Sequence, residues 1–529
     1  GGSLYDIINE GSTTGGRLNS DKGGGGKSSG GKGSSDSGSD FRFFAPNESW
    51  FDINGKVIYH INDNQNLNFS FYIGQDSAMT VGLTEWGNRA ALLRWENRFA
   101  TKWLSNTSLI YSRYYTANIA GIYHFHSGVS TQSFKQEFSY FPNPNNEVRF
   151  GLMSEYQDYN HGSLEDATQE DGGKFMPGMQ GLESAFYIEN DQKINDRLSA
   201  YYGLRYSLYH QLGPGDRFTY DDITNEPIEA EFFPEKTDVM SFYSSLEPRL
   251  AITYLLSGQN SLKLSYNRNA QYLRLMSLGA EIEWYDIWMP TTKNIKPMLT
   301  DQFAMGYFHN FNNNEIKFSA ETYYKILYGA ADFEDGLHNY LVDNLEAYVA
   351  TGKGLAYGFE MSIEKPSGRF NGRLSYNYGK SDYQIDVINQ GRWYPYRFDK
   401  THSLTMLSNF QITKDLSISS TFLYSTGRPV TLPEGYYHIS GIPFPYWEGR
   451  NKYRLPDYHR LDLGIKYSPN FLIRWTRGLK TTIDVALYNV YDRRNIHTIN
   501  YNQGQNRLFE QIGQSTYGFM PSININVEF

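Results

Sequence analysis

The sequence contains 529 residues, with a formal net charge of −9 and no cysteine. The absence of cysteine excludes disulfides, thiol catalysis and cysteine-ligated metals, and the negative charge argues against nucleic acid as the main partner. Aromatic residues make up 16% of the chain, which is atypical of disorder. No run approaches the ~18 apolar residues of a membrane helix. One large domain of half-buried strands fits these properties.

The first 49 residues differ from the rest of the chain. Residues 4–8 (LYDII) are mostly apolar and indicate that residues 1–10 contain the end of an early strand. Residues 11–49 are dominated by glycine, serine and aspartate, which is typical of a flexible loop. The GGGGKS stretch at 23–28 resembles a phosphate-binding loop, but that motif needs glycine where Asp21 stands. We therefore predict a strand end followed by an extracellular loop.

From residue 50 onward, apolar strands alternate with two kinds of connection. Short polar turns are predicted near residues 62–66, 142–146, 195–197, 257–260, 312–314, 367–369 and 414–415. Longer connections are predicted after Ile73 through Gly87 and near residues 160–181, 212–240, 277–299, 329–353, 385–400, 429–457 and 495–517. This pattern indicates an antiparallel sheet with one compact end and one elaborate end. Bacterial outer-membrane barrels have this form, with short periplasmic turns and long extracellular loops.

The strands separate apolar residues from charged residues. Across residues 198–208 the even positions are apolar or aromatic, whereas the odd positions include Arg205 and Ser207. Residues 262–267, 316–326 and 461–467 alternate in the same way, with Lys, Glu or Asp on the polar face. A wide barrel with a polar lumen and a lipid-facing exterior explains both faces. We predict an all-β fold: a large antiparallel transmembrane β-barrel over residues 50–529 with about 20 strands, where large plugged transporters have 22.

The last stretch of the chain, residues 519–529, is amphipathic. Every odd position is apolar, and the chain ends on Phe529. About ten residues suffice for a tilted strand to cross a bilayer. This stretch resembles the terminal strand of bacterial outer-membrane barrels, and the resemblance implies that Phe529 is read by the assembly machinery.

Several short segments recur here in a characteristic order. They are 247–250 (EPRL) running into 261–271, 294–297 (NIKP) followed by Asp301 and Gln302, 354–360 (GLAYGFE), 425–429 (STGRP), 454–462 (RLPDYHRLD) and 488–495 (YNVYDRRN). Together they resemble the barrel of TonB-dependent outer-membrane receptors, in the version common in Bacteroidetes. The likeness runs from about residue 50 to Phe529.

The resemblance implies a multi-pass barrel in the outer membrane of a Gram-negative cell, in contact with outer-membrane lipid. It implies active import of a scarce solute (an iron chelate, haem, vitamin, glycan or peptide) with energy from TonB. A surface lipoprotein caps the barrel in some relatives. A barrel scaffold or adhesin in a surface complex, or a passive pore, remains an alternative function.

The resemblance also implies an N-terminal plug and a segment that engages TonB, and neither is found in this sequence. Residues 4–8 match the third strand of the family, so the first two strands are not matched either. Unpaired backbone groups cost several kcal/mol each in lipid. We therefore expect that the sequence is part of a longer protein, or that another chain completes the barrel.

Enzymatic chemistry has little support in the sequence. Its many carboxylates are not paired with an activated nucleophile or base, and solvated charges explain them better. His124 and His126 alternate and could share a metal, but ordinary strand histidines are the simpler interpretation. The acidic residues near 165–171 lack the spacing of a calcium loop. We predict no enzyme activity, metal or cofactor.

Aromatic residues in the long connections are the better candidates for ligand contact. Tryptophan and tyrosine are enriched at binding hot spots, although they also form membrane girdles. The predicted ligand-binding residues are Trp284, Tyr285, Trp288, Trp393, Tyr394, Tyr446 and Trp447.

Overall fold

A computed structural model describes residues 49–79, 83–120, 123–166, 174–175, 178–221, 224–277, 286–335, 337, 342, 344–439, 442–468, 480–503 and 509–528. The predictions for residues 1–10, for nearly all of 11–49, and for Trp284, Tyr285 and Phe529 lie outside these ranges. Among the helices within them, none has the length and apolar character needed to span a membrane.

The described chain is almost entirely strands, because alternating apolar and polar residues fit a pleated sheet with two different faces. The strands up to residue 290 are β1 (Ser49–Asn62), β2 (Gln65–Met79), β3 (Leu83–Ala100), β4 (Trp103–Ala120), β5 (Tyr123–Asn143), β6 (Asn146–Asp166), β7 (Lys174–Phe175), β8 (Met179–Lys193), β9 (Leu198–Leu212), β10 (Gly215–Tyr220), β11 (Pro227–Phe233), β12 (Val239–Ser257), β13 (Asn260–Gln271), β14 (Leu273–Met276) and β15 (Ile287–Pro290).

The remaining strands are β16 (Met298–Phe311), β17 (Ile316–Phe333), β18 (Val349–Lys365), β19 (Phe370–Gln384), β20 (Tyr394–Pro395), β21 (His402–Gln411), β22 (Leu416–Ser425), β23 (Pro429–Val430), β24 (Gly435–Ile439), β25 (Ile442–Tyr446), β26 (Tyr453–Arg454), β27 (Tyr458–Tyr467), β28 (Lys480–Tyr488), β29 (Ile496–Gln503), β30 (Phe509–Ser515) and β31 (Met520–Glu528). Short 3-10 helices occupy Leu345–Tyr348 and Asn389–Gly391.

One antiparallel sheet contains 21 of these strands. Each long strand pairs with the next long strand along the chain, from β1 with β2 to β28 with β31. Two of the 21 strands, β7 and β20, are only 2 residues long. The prediction of an antiparallel barrel sheet with about 20 strands is therefore confirmed.

The two faces of the sheet have the predicted chemistry. On β9, Leu204 and Tyr206 are exposed, whereas Ser207 and Tyr209 on the opposite face are buried. Arg205 shares that opposite face and lies 2.9 Å from Glu183 of β8. Exposed apolar side chains therefore cover the outside, and ion-paired residues line the lumen.

The sheet has a compact end and an elaborate end. Short turns join β5 to β6 at residues 144–145 and β12 to β13 at residues 258–259, as predicted. The long connections at the other end contain small hairpins of their own, such as β10–β11 and β24–β25.

The predicted loop after Ile73 was wrong. β2 continues to Met79, and Gly87 lies within β3 opposite Tyr115. Added at Gly87, a Cβ atom would lie 2.7 Å from the Tyr115 ring, which covers the glycine. The Tyr115 hydroxyl also donates to Gln75 Oε1 at 3.0 Å. Polar residues such as Gln75 weaken the apolar alternation here, so the sequence pattern did not show the strand continuing.

Candidate functional site

The long connections at the elaborate end pack on one another. We define the loop cap as the described residues within 213–238, 272–297, 334–348, 385–401 and 426–457. β15 of this cap contacts β5 and β6, although it lies between β13 and β16 in the chain. The connection that carries β15 therefore folds inward across the lumen.

Tyr272 shows how the cap meets the barrel wall. Its ring stacks on Tyr209 with the ring centroids 5.0 Å apart, and its hydroxyl lies 2.8 Å from Ser207 Oγ. Ser207 in turn donates to Glu247 Oε1 at 2.6 Å. This contact fixes the start of the inward connection on the polar lumen wall.

Two apolar clusters support the cap. The first contains Met276, Ile287, Met289, Ile295, Phe333, Leu345 and Val349, and the second contains Ala330, Tyr383, Ile385, Ile388 and Tyr394. The first cluster joins residues of two connections, and the second packs the 385–401 connection against β17 and β19. Burial of apolar area contributes about 25 cal/mol per Å², so these clusters hold the loops in one arrangement.

Arg450 ties three connections together. Its Nη2 lies 3.0 Å from Asp332 Oδ1 and its Nη1 lies 3.3 Å from Asp335 Oδ1. The Arg450 backbone N–H donates to Asn389 Oδ1 at 3.3 Å. The Tyr394 hydroxyl also donates to Asp332, at 3.2 Å. The side chains of Arg450 and Asp332 are both mostly buried, which strengthens the ion pair relative to an exposed one.

Glu346 is a carboxylate held inside the cap, and its hydrogen-bond partners among the described residues are the neutral groups of Thr292, Asn294 and Tyr220. It accepts from the Thr292 hydroxyl and, at 3.5 Å, from the Tyr220 hydroxyl. Burial raises the pKa of Glu346, although the hydrogen bonds from Thr292 and Asn294 oppose this shift. The group is therefore sensitive to pH at the junction of three connections.

Arg274 is a buried cation in the inward connection. Its Nη2 donates to the carbonyl of Lys296 at 2.7 Å and its Nη1 donates to the carbonyl of Gly329 at 3.1 Å. Burial lowers the pKa of Arg274 to about 10. Both contacts are to backbone, so Arg274 connects the inward connection to the top of β17.

The segments that carried the family resemblance contact one another. The Asn489 backbone N–H donates to Asp462 Oδ1 at 2.8 Å, and Asn495 Nδ2 donates to the carbonyl of His459 at 3.0 Å. In the STGRP segment, a Cβ added at Gly427 would overlap the carbonyl oxygen of Leu455. These motifs therefore serve close packing between connections at the elaborate end.

The predicted aromatic residues have different environments. Trp393 is 47% exposed, Tyr446 53% and Trp447 42%, whereas Tyr394 is 1% exposed. Asn389 Nδ2 donates to the carbonyl of Trp393 at 3.5 Å, and Asn389 also bonds Arg450 as described. The structure therefore joins the connections that bear Trp393 and Trp447, and it gives Tyr394 a packing role.

Trp288 lies in β15, inside the lumen rather than on top of the cap. The residue is half-buried, and its Nε1–H has no hydrogen-bond acceptor among the described residues. Sequence reasoning did not identify Arg450, Glu346 or Arg274. Their partners are distant in the chain, so no local pattern marks them.

A wide antiparallel sheet with an apolar exterior, a charged lumen and an inward-folding cap defines a transport barrel of the outer membrane. The family model described as "TonB dependent receptor-like, beta-barrel" matches residues 2–490. The chain belongs to this family. It is therefore an outer-membrane barrel of the class that transports solutes with energy from TonB.

Solved structures with the same fold include two receptors for ferric compounds and one iron transporter. The ferric-catecholate import receptor Fiu from E. coli K12 is 12% identical, with a TM-score of 0.58, 90% of this chain covered and 74% of that one. The ferric yersiniabactin uptake receptor FyuA from Yersinia pestis is 14% identical, with a TM-score of 0.60 and coverages of 91% and 71%.

The FrpB iron transporter from Neisseria meningitidis is 11% identical, with a TM-score of 0.61, 90% of this chain covered and 71% of that one. No curated protein sequence matches the chain. At these identities the likeness establishes the fold.

Proposed function

We propose that this barrel imports an iron chelate and that the loop cap is its binding surface. The observation that carries the proposal is the group of exposed aromatic rings, Trp393, Tyr446 and Trp447, on connections that Asn389 and Arg450 hold together. Such rings give a large contact area at low entropic cost. The iron compounds bound by Fiu, FyuA and FrpB favour an iron chelate over haem, a vitamin, a glycan or a peptide.

Several finer features belong to this proposal. The barrel acts as a transporter and not as an enzyme, and TonB supplies the energy for import. Two further statements stay predictions: that the receptor is of the type common in Bacteroidetes, and that a surface lipoprotein is its partner.

Growth of a deletion strain tests the proposal. The strain should lose growth on a ferric catecholate or a ferric hydroxamate as its only iron source, and the full-length gene should restore it. The double variant Trp393→Ala, Trp447→Ala should restore growth poorly, whereas Trp393→Phe, Trp447→Phe should restore most of it because a ring is kept. Normal growth of the deletion strain on every chelate would favour the scaffold or adhesin.

A further inference from the structure

Two arginines lie side by side on the outer face of the barrel. Arg89 of β3 and Arg113 of β4 are cross-strand partners, and both are exposed. They share a face with Leu93 and Leu109, which are also exposed. Like charges directly opposite each other destabilise a strand pair. An anion bound between the two guanidinium groups would offset this repulsion.

Neither arginine has an ion-pair partner among the residues that the structure describes. The ion pairs of the described residues do not include Arg89 or Arg113. The Arg89 guanidinium lies over the Tyr115 ring, 5.9 Å from its centroid. This cation–π contact orients the side chain but leaves its charge available.

The aromatic cluster at the compact end indicates where the arginine pair lies across the membrane. Trp103 stacks on Tyr140 with the centroids 4.3 Å apart, and it meets the edge of Phe150 at 6.2 Å. Aromatic rings of this kind mark a membrane interface. Arg113 follows Trp103 by ten residues on the same face, and about 9–11 residues of tilted strand cross the hydrocarbon layer. The arginines therefore lie at the outer interface.

A cavity adjoins Arg113. It has a volume of about 460 Å³, and Arg113, Tyr111, Tyr115, Ser130, Asp158 and Asn160 line it. Asp158 is the carboxylate of this lining, and Ser130 of β5 separates it from Arg113 in the register of the strands. Hydroxyl groups from Tyr111 and Ser130 add hydrogen-bond donors to the cavity that Arg113 lines.

We propose that Arg89 and Arg113 bind a phosphate group of an outer-leaflet lipid. Guanidinium groups match phosphate oxygens with paired, charge-assisted hydrogen bonds. The acyl chains of the lipid lie on the exposed apolar band directly below, which includes Leu93, Leu109 and Phe134. Free phosphate lacks these apolar contacts, so the site selects the lipid.

Lipid binding to the full-length receptor tests the proposal. Purified protein in micelles of dodecyl maltoside, which has no phosphate, is titrated with lipid A or with phosphatase-treated lipid A. The double variant Arg89→Gln, Arg113→Gln should bind the phosphorylated lipid about 25-fold more weakly, since each basic residue near a membrane surface contributes about fivefold. The control Arg94→Gln, on the lumen face of β3, should bind normally. Equal affinity of the wild type and the double variant would overturn the proposal.

The wild-type protein provides a test that does not depend on folding of the variant. It should prefer lipid A over the phosphatase-treated form by a similar factor, and no preference would contradict the site. Inorganic phosphate at the concentration of the lipid should leave the lipid bound. Displacement by inorganic phosphate at that concentration would refute the assignment to a lipid.

Discussion

The Arg450 guanidinium lies 3.0 Å from the Asp332 carboxylate, although 118 residues separate them in the chain. This ion pair joins the connection between β22 and β27 to the top of β17. It is the clearest sign that the loop cap is one packed unit rather than a set of independent loops.

Arg450→Gln should loosen the cap while the barrel stays folded. The substitution leaves Asp332 buried without its cation, and breaking such a pair costs about 3–5 kcal/mol. Hydrogen exchange should then rise in residues 385–401 and 442–457. Lys452→Gln is the control, because the ion pairs of Lys452 are exposed. Equal exchange in the two variants would show that the Arg450 pair does not hold the cap.

Gly427→Ala should disturb the same end of the barrel for a steric reason. The added methyl group overlaps the Leu455 carbonyl oxygen, and overpacking of this kind costs about 1–3 kcal/mol. A thermal melt, in which proteolysis of the cap reports unfolding, measures the loss of stability. Gly435→Ala is the matched control in the same connection, since a Cβ there meets no atom within 4 Å. Equal melting temperatures for both variants would contradict the predicted overlap.

The cap should open more readily as the pH rises. Because burial raises the pKa of Glu346, the closed cap favours the protonated acid. The stabilisation is full below the ordinary carboxyl pKa of about 4.3 and falls as the pH passes through the raised value. The protection factors of residues 344–348, which divide out the intrinsic pH dependence of amide exchange, should therefore be higher at pH 5 than at pH 8. Glu346→Gln should remove this difference, and a variant that retains it would exclude Glu346 as the cause.

Ile525→Lys and Asn526→Lys test the two faces of the last strand. Ile525 is 66% exposed on the outer face, where lysine costs about 2–4 kcal/mol near the bilayer midplane. Asn526 Nδ2 lies 2.8 Å from Asp484 Oδ2 in the lumen, so lysine there gains a carboxylate partner. Folded protein in outer membranes should fall for the first variant only. Similar losses for both would refute the facing assignment.

The barrel could be predicted from the sequence because its signal is local. Alternation along each strand and the polar turns between strands depend on near neighbours, so the turns at 144–145 and 258–259 were predicted closely. The cap depends on contacts between distant segments, such as Arg450 with Asp332. The presence of an aromatic residue does not show whether its side chain is buried. The adjacent residues Trp393 and Tyr394 illustrate this, because the first is exposed and the second is buried.

Energy-dependent uptake of iron is the most direct test of the proposed import. Cells that carry the full-length gene are given a radiolabelled ferric chelate, in strains with and without TonB. We predict accumulation that requires both the receptor and TonB and that stops when the proton gradient is collapsed. Accumulation that is unchanged without TonB would indicate a passive pore and contradict the account.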